Sequence, residues 1–278
     1  MKKLLLILAA AVMAMPFAAA ANDGDNTLKI VSFNIRVGNA NDGINNWNNR
    51  SAACAQMVLD EQPDICGLQE ALERQVNYLK NHCKGFGMLG ISRDGYGTKG
   101  EHMSFMYNLE TMEVLEWGTF WLSETPDKQS KGWDGAYPRT ATWALMKDKR
   151  NDRKFYYVNT HLDHVGKEAQ SKGLSLIMDR IADLNKAGIP FIIGGDFNIT
   201  LENSSMAPIK ARMLNARDNA KVSDDKGSYN GWGNSNAKID FIWYEGFSSC
   251  ESFRTNTNPY LGCEFISDHY PIEAVFAY

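Results

Sequence analysis

The chain has 278 residues, of which 44% are hydrophobic, 22% charged and 11% aromatic. That composition excludes a disordered chain, a collagen-like chain and a coiled coil, and the length is ample for one large domain or two small ones. The formal net charge of −4 gives no support for tight, non-specific nucleic-acid binding, which usually takes a basic protein. It does not exclude a nuclease, because a bound divalent cation supplies local positive charge.

Lys2 and Lys3 precede an apolar run from Leu4 to Ala21 that ends in small residues. This is the pattern of a secretory signal peptide, with cleavage after Ala20 or Ala21. We therefore expect residues 1–21 to be a leader and residues 22–278 to form the domain, acting in a periplasm or outside the cell. Loss of the two lysines would make the remaining chain more acidic. No later segment is long and apolar enough to span a bilayer.

Strand-like runs follow at Leu28–Ile35, Asp64–Gln69, Phe86–Ile91, Met103–Tyr107, Met112–Trp121, Ala141–Met146, Phe155–Thr160, Phe191–Gly195, Ile239–Tyr244 and Ile272–Phe276. Several are apolar on both faces, as in sheets covered by other layers. Helical patterns lie between some of them: Trp47–Glu61, stopped by Pro63; Leu72–Asn81; and Lys167–Lys186, where Leu174, Ile177, Ile181 and Leu184 recur at helical spacing before Gly188 and Pro190. Mixed strands and helices with no linker predict a single α+β or sandwiched α/β domain. The basic run Lys147–Lys154 falls between two strands and reads as a solvated hairpin turn. Of the five cysteines, Cys54 and Cys66 read as core thiols and Cys250 with Cys263 as the best candidate disulfide, the partner of Cys83 being unassigned.

Polar residues stand at the ends of these apolar strands, where sheet proteins usually build their sites. Asn34 interrupts IVSFNIR, Glu70 ends DICGLQE, and His161 and Asp163 end YYVNTHLDH, two apart and so expected on one side. Asp196 and Asn198 end FIIGGDFN, Asp240 lies in KIDFIW, and Asp268 and His269 precede the last strand. Each alone reads as a cap or turn, but six such sites in order do not. Glu70, Asn34 and Asp268 are oxygen donors suited to a hard cation such as Mg²⁺. Two histidines suit phosphate-charge stabilisation or proton transfer near neutral pH. The inventory fits metal-assisted hydrolysis of a phosphate ester. There is no G-x-S-x-G elbow, Walker loop or G-x-G-x-x-G.

The order of Gln69–Glu70, GDFN at Gly195–Asn198 and SDHYP at Ser267–Pro271 resembles the endonuclease/exonuclease/phosphatase superfamily, whose members include deoxyribonuclease I, sphingomyelinases and inositol-polyphosphate 5-phosphatases. The resemblance runs from Ile30 to Pro271 and, through GTFWLSETP (Gly118–Pro126) and the PRTATW run, is closest to a secreted bacterial branch. It implies a deoxyribonuclease I-like, four-layer sandwich of two mixed β-sheets flanked by helices, with the site at one edge. It implies that Glu70 is the principal Mg²⁺ ligand, with Mn²⁺ able to substitute, that Asn34 stands beside it and that Asp268 holds the same metal or a second one. Asp196 and Asn198 would position or deprotonate the attacking water and bind the phosphate. His269 would contact the scissile phosphate with Asp240 orienting it, and His161 would be the other phosphate-side histidine. Glu101 resembles the acid that pairs with that histidine, and Arg139 looks aimed at the phosphate. Whether Asp196 or His269 is the base stays open.

Trp133, Tyr137, Tyr229 and Trp232 lie in glycine-rich loops and either stack on a substrate ring or anchor those loops. The leading expectation is a phosphoesterase acting on nucleic acid, a nucleotide, a sugar or inositol phosphate, or a phospholipid headgroup. The acidic balance tilts it from long duplexes, and the aromatic loops tilt it toward a small ring-bearing phosphate or a single-stranded end. A catalytically silent member that binds a phosphorylated ligand or partner is the alternative.

Overall fold

The computed structural model describes residues 26–97 and 100–278. The expected leader therefore lies outside the described residues. In chain order the elements are β1 (Thr27–Asn34), α1 (Trp47–Glu61), β2 (Ile65–Leu72), α2 (Glu73–His82), β3 (Phe86–Leu89), β4 (Glu101–Asn108), β5 (Met112–Trp121), β6 (Thr140–Asp148), β7 (Lys154–His161), α3 (Lys167–Leu184) and β8 (Phe191–Asp196). They continue with α4 (Ala207–Lys210), β9 (Leu214–Asn215), α5 (Ala216–Asn219), β10 (Ala220–Val222), β11 (Asp240–Glu245), β12 (Ser249–Thr255) and β13 (Ile272–Ala277).

The strands form two mixed sheets, ordered β10-β12-β13-β1-β2-β4-β3 and β5-β6-β7-β8-β11-β9. Alternation along each strand sends one set of side chains between the sheets and the other outward. Ile30, Ile65 and Phe105 of the first sheet meet Phe155, Tyr157 and Ile192 of the second in one buried cluster. On the outer face of the first sheet, Val31, Phe33 and Leu68 pack with Met57 and Val58 of α1 and Leu79 of α2. On the outer face of the second, Val158 and Ile193 pack with Leu174, Ile177 and Ile181 of α3. Each fully buried aliphatic or aromatic side chain contributes roughly 1.5–3 kcal/mol over its exposed state, so both sheets are held on both faces. This is the expected four-layer sandwich.

Local signals set the element ends. The Asn46 side chain accepts from Asn48 N at 3.0 Å to cap α1, and Gln62 turns left-handed just before Pro63, which cannot continue a helix. The basic run is the β6–β7 turn. Gly67 is required where β2 faces β7, because a side chain there would strike the Tyr157 hydroxyl, and a methyl on Gly195 would run into the Thr160 carbonyl.

The sequence reading does not name β12, whose alternation a bulge between Cys250 and Ser252 breaks, although Cys250 and Phe253 both enter the inter-sheet core. One expectation fails. The Cys250–Cys263 disulfide does not form: all five cysteines are free. Cys250 points between the sheets, whereas Cys263 packs outside the first sheet, near the Asn49 carbonyl of α1.

Candidate active site

Strand register does most of the assembly. In the second sheet His161 pairs with Asp196 across β7 and β8, and Asp196 pairs with Asp240 across β8 and β11. Three neighbouring strands thus deliver their polar ends side by side. In the first sheet Asn34 pairs with Gln69 across parallel β1 and β2, placing Glu70 one residue beyond. From these two rows Glu70, His161 and Asp196 line a cleft of about 600 Å³ that Asp268, His269, Arg139 and Asn198 also line.

Glu70 sits at a bulge in the β2–β4 pairing and has a left-handed backbone, φ 58°. Asn198 is left-handed too, φ 56°. Such backbones cost a non-glycine residue about 1–2 kcal/mol, and they concentrate where a side chain must be re-aimed. The Glu70 carboxylate accepts from Asn34 Nδ2 at 3.1 Å and from Val37 N at 2.8 Å. Behind it, buried Gln69 donates to Asn159 Oδ1 at 2.7 Å, and Asn159 donates to the Leu68 and Ser104 carbonyls at 2.8 Å each. This polar bridge between the sheets fixes the strand end that carries Glu70.

Asp196 lies at the centre. It accepts from Asn34 Nδ2 at 2.9 Å and from Asn198 N at 2.8 Å, and it lies 3.5 Å from His161 Nε2 and 3.8 Å from His269 Nε2. Burial and the neighbouring Asp240 push its carboxyl well above the usual carboxylate range. His269 Nδ1 meets Asp240 Oδ2 at 2.8 Å. Burial opposes charging His269, but the Asp240 and Asp196 carboxylates overcome it and raise its pKa, which favours the imidazolium. His161 goes the other way: burial, with Arg139 and Arg93 nearby, holds it neutral. The Asn198 amide lies 2.8 Å from His161 Nε2 and donates to the Leu162 carbonyl at 3.0 Å.

Two expectations change, those for Glu101 and Asp163, and the loop aromatics divide. Glu101 reaches the cleft but does not pair with His161. It pairs with Arg93, whose two terminal nitrogens each lie 2.8 Å from a carboxylate oxygen, while His161 Nδ1 is buried without a hydrogen-bond partner. Asp163 does not share a face with His161, because β7 ends at His161. Its carboxylate instead accepts four backbone N–H groups, from Ala136, Tyr137, Val165 and Gly166, which hold it down at about 2 although burial opposes this. Of the four loop aromatics, Tyr137 and Tyr229 line the cleft; Trp133 lies against Lys172, and Trp232 against Arg50.

Arg139 is buried in the cleft wall. Three ionisable lining residues were given no role by sequence reasoning: Arg36, Arg93 and His164. The signal for Arg36 was present, since it follows Asn34 at the same-side spacing; its Nε is 3.5 Å from Asp268. Arg93 comes from an irregular stretch between β3 and β4 and carries no such signal.

The donors fit a divalent cation. Glu70, His161 and Asp196 each offer a ligand atom within 4.8 Å of one another. The Asp268 carboxyl is raised first by burial and then by repulsion from Glu70, a crowding of acids that a hard cation relieves.

The Endonuclease/Exonuclease/phosphatase family profile matches residues 31–269. The fold superimposes on an endonuclease/exonuclease/phosphatase from Bacteroides vulgatus at 32% identity, covering 90% of this chain and 98% of that one, with a TM-score of 0.85. A mannosyl-6-phosphatase from Bacteroides thetaiotaomicron is 29% identical over 90% of this chain and 100% of that one, TM-score 0.85. TDP2 from Caenorhabditis elegans shares the fold at 19% identity, covering 91% and 75%, TM-score 0.71. No curated protein matches at the sequence level. The chain belongs to the endonuclease/exonuclease/phosphatase family. It is a metal-dependent hydrolase of phosphoric ester bonds.

Proposed function

We propose that this protein is an exported, Mg²⁺-dependent phosphoesterase that drives in-line attack of water on phosphorus. The observation that carries the reading is the row His161–Asp196–Asp240, with His269 bridging its acids opposite Glu70. Glu70, Asn34 and Asp268 would hold Mg²⁺, or Mn²⁺ in its place, which when bound polarises the phosphoryl oxygens.

The chain's own residues divide the remaining work. Asp196, raised toward neutral pH and fixed by Asn34 and Asn198, takes the proton from the attacking water. His269, kept charged by Asp240, donates through Nε2 to the phosphoryl group as negative charge builds. Neutral His161, the Asn198 amide and Arg139 position the other oxygens. The mannosyl-6-phosphatase likeness supports a phosphate ester of a small alcohol. Export rests on Lys2, Lys3 and the apolar run to Ala21, and N-terminal sequencing of the protein from its host checks it.

The test is a panel of phosphomonoesters and phosphodiesters assayed with Mg²⁺, with Mn²⁺ and with EDTA. The panel spans DNA, RNA, nucleotides, sugar and inositol phosphates, and phospholipids. Turnover that needs metal is expected. Hydrolysis that survives EDTA, or none with metal shown to bind, overturns the reading, the second result in favour of a silent binder.

A further inference from the structure

We infer that the end of the cleft built by Arg93, Glu101, Tyr137 and His164 recognises a polyhydroxylated ring, so that the ester cleaved is a phosphorylated sugar or cyclitol. This rests on the phosphoesterase reading and supplies the alcohol half of the substrate.

The cleft has two chemically different ends. One gathers Glu70, Asp196 and Asp268. The other sets two guanidiniums, Arg93 and Arg139, around Glu101. Arg139 is 7% exposed, yet its Nε has no hydrogen-bond partner. Its closest polar contacts are 3.4 Å from His164 Nδ1 and 3.7 Å from Asp163, so its donors suit an incoming phosphate oxygen.

Arg93 and Glu101 form a two-point fork with both terminal nitrogens engaged at 2.8 Å, their side chains 14% and 17% exposed. The fork leaves further N–H donors and carboxylate lone pairs at the cleft wall. Neighbouring ring hydroxyls, each donor and acceptor, match that array. A site built this way rejects an alcohol lacking those hydroxyls, because its polar groups would be left unpaired.

Tyr137 completes the wall and is 51% exposed. Its ring already carries two partners, Arg93 at 5.0 Å and His164 at 5.8 Å and 18°. A ligand therefore meets hydroxyl, guanidinium and imidazole edges more than a bare aromatic face, which favours a polyol over a nucleobase. A cleft of about 600 Å³ lies within the range of small-molecule pockets, about 300–1,000 Å³.

The experiment compares hexose 6-phosphate, myo-inositol phosphate, p-nitrophenyl phosphate and a nucleoside monophosphate as substrates for wild type, Arg93→Ala and Tyr137→Ala. Titration calorimetry of hexose phosphate, myo-inositol phosphate and inorganic phosphate runs alongside, with thermal melting to confirm folding. Wild type should prefer a ring polyol phosphate, the two polyols telling sugar from cyclitol. Arg93→Ala should lower the kcat/KM ratio of that polyol over p-nitrophenyl phosphate at least tenfold, and Tyr137→Ala should lower it less. Hexose phosphate and myo-inositol phosphate both binding no tighter than inorganic phosphate overturns the inference whether or not turnover is seen. So does an Arg93→Ala ratio within twofold of wild type, or a nucleotide preference lost in Tyr137→Ala. Absence of hydrolysis with tight polyol-phosphate binding overturns only the catalytic reading.

Discussion

Asp240→Asn isolates the charge that holds His269 without changing the volume of the side chain. The pair is buried and made at 2.8 Å between Nδ1 and Oδ2. A hydrogen bond to a charged group is worth about 1.5–3 kcal/mol. If that stabilisation of the imidazolium is realised where phosphoryl charge builds, kcat falls about 10- to 150-fold at 1.36 kcal/mol per decade. The sign of the pH effect also follows. Asp240 raises the His269 pKa, so its loss lowers that pKa, and the alkaline limb of kcat moves to lower pH. Stability should change little, because the substitution also removes the repulsion between Asp240 and Asp196; a Tm change under about 4 °C corresponds to about 1 kcal/mol here. The assay is kcat and KM from pH 5.5 to 10 on the best ester, with thermal melting. Wild-type kcat with an unmoved alkaline limb would refute the assignment of His269 as the phosphate-side cation.

Glu70→Gln should raise the Mg²⁺ concentration for half-maximal rate by more than about tenfold, read by metal titration of the rate; an unchanged midpoint would remove Glu70 as principal ligand. Asp163→Asn should cost about 1–2 kcal/mol in urea unfolding at pH 7, since half the N–H acceptance of that carboxylate weakens. The Asp163 contribution has a defined pH window. With a folded pKa of about 2 against an unfolded 3.8, it is fully present above pH 3.8 and is lost as pH falls through 2, so the gap between wild type and variant should close there. Gly195→Ala should lose about 1–3 kcal/mol by forcing β7 and β8 apart, measured the same way. Thiol titration of the denatured protein without reductant should count all five cysteines; three would show a disulfide.

The layers and most of the site were legible because they depend on strand ends. An apolar run that stops at a carboxylate or imidazole names its residue, and parallel register then sets His161 and Asp196 side by side. What failed depends on how distant segments return. Glu101 was readable as a cleft acid, but its partner Arg93 arrives on an irregular stretch with no periodicity. Asp163 kept same-side spacing on paper, yet the strand ended two residues earlier and the carboxylate went to loop N–H groups. Cys250 and Cys263 were paired by compartment chemistry alone, while the sheet between them keeps their side chains in different layers. The bulge at Cys250 hid β12 by shifting its alternation.

The most direct test of the central claim is hydrolysis of the preferred ester in ¹⁸O-labelled water with Mg²⁺, followed by mass analysis of both products, for wild type and His269→Ala. The account predicts label in the phosphate product alone and a rate that collapses in the variant and with EDTA. Label in the alcohol, or a wild-type rate in the variant, would contradict it.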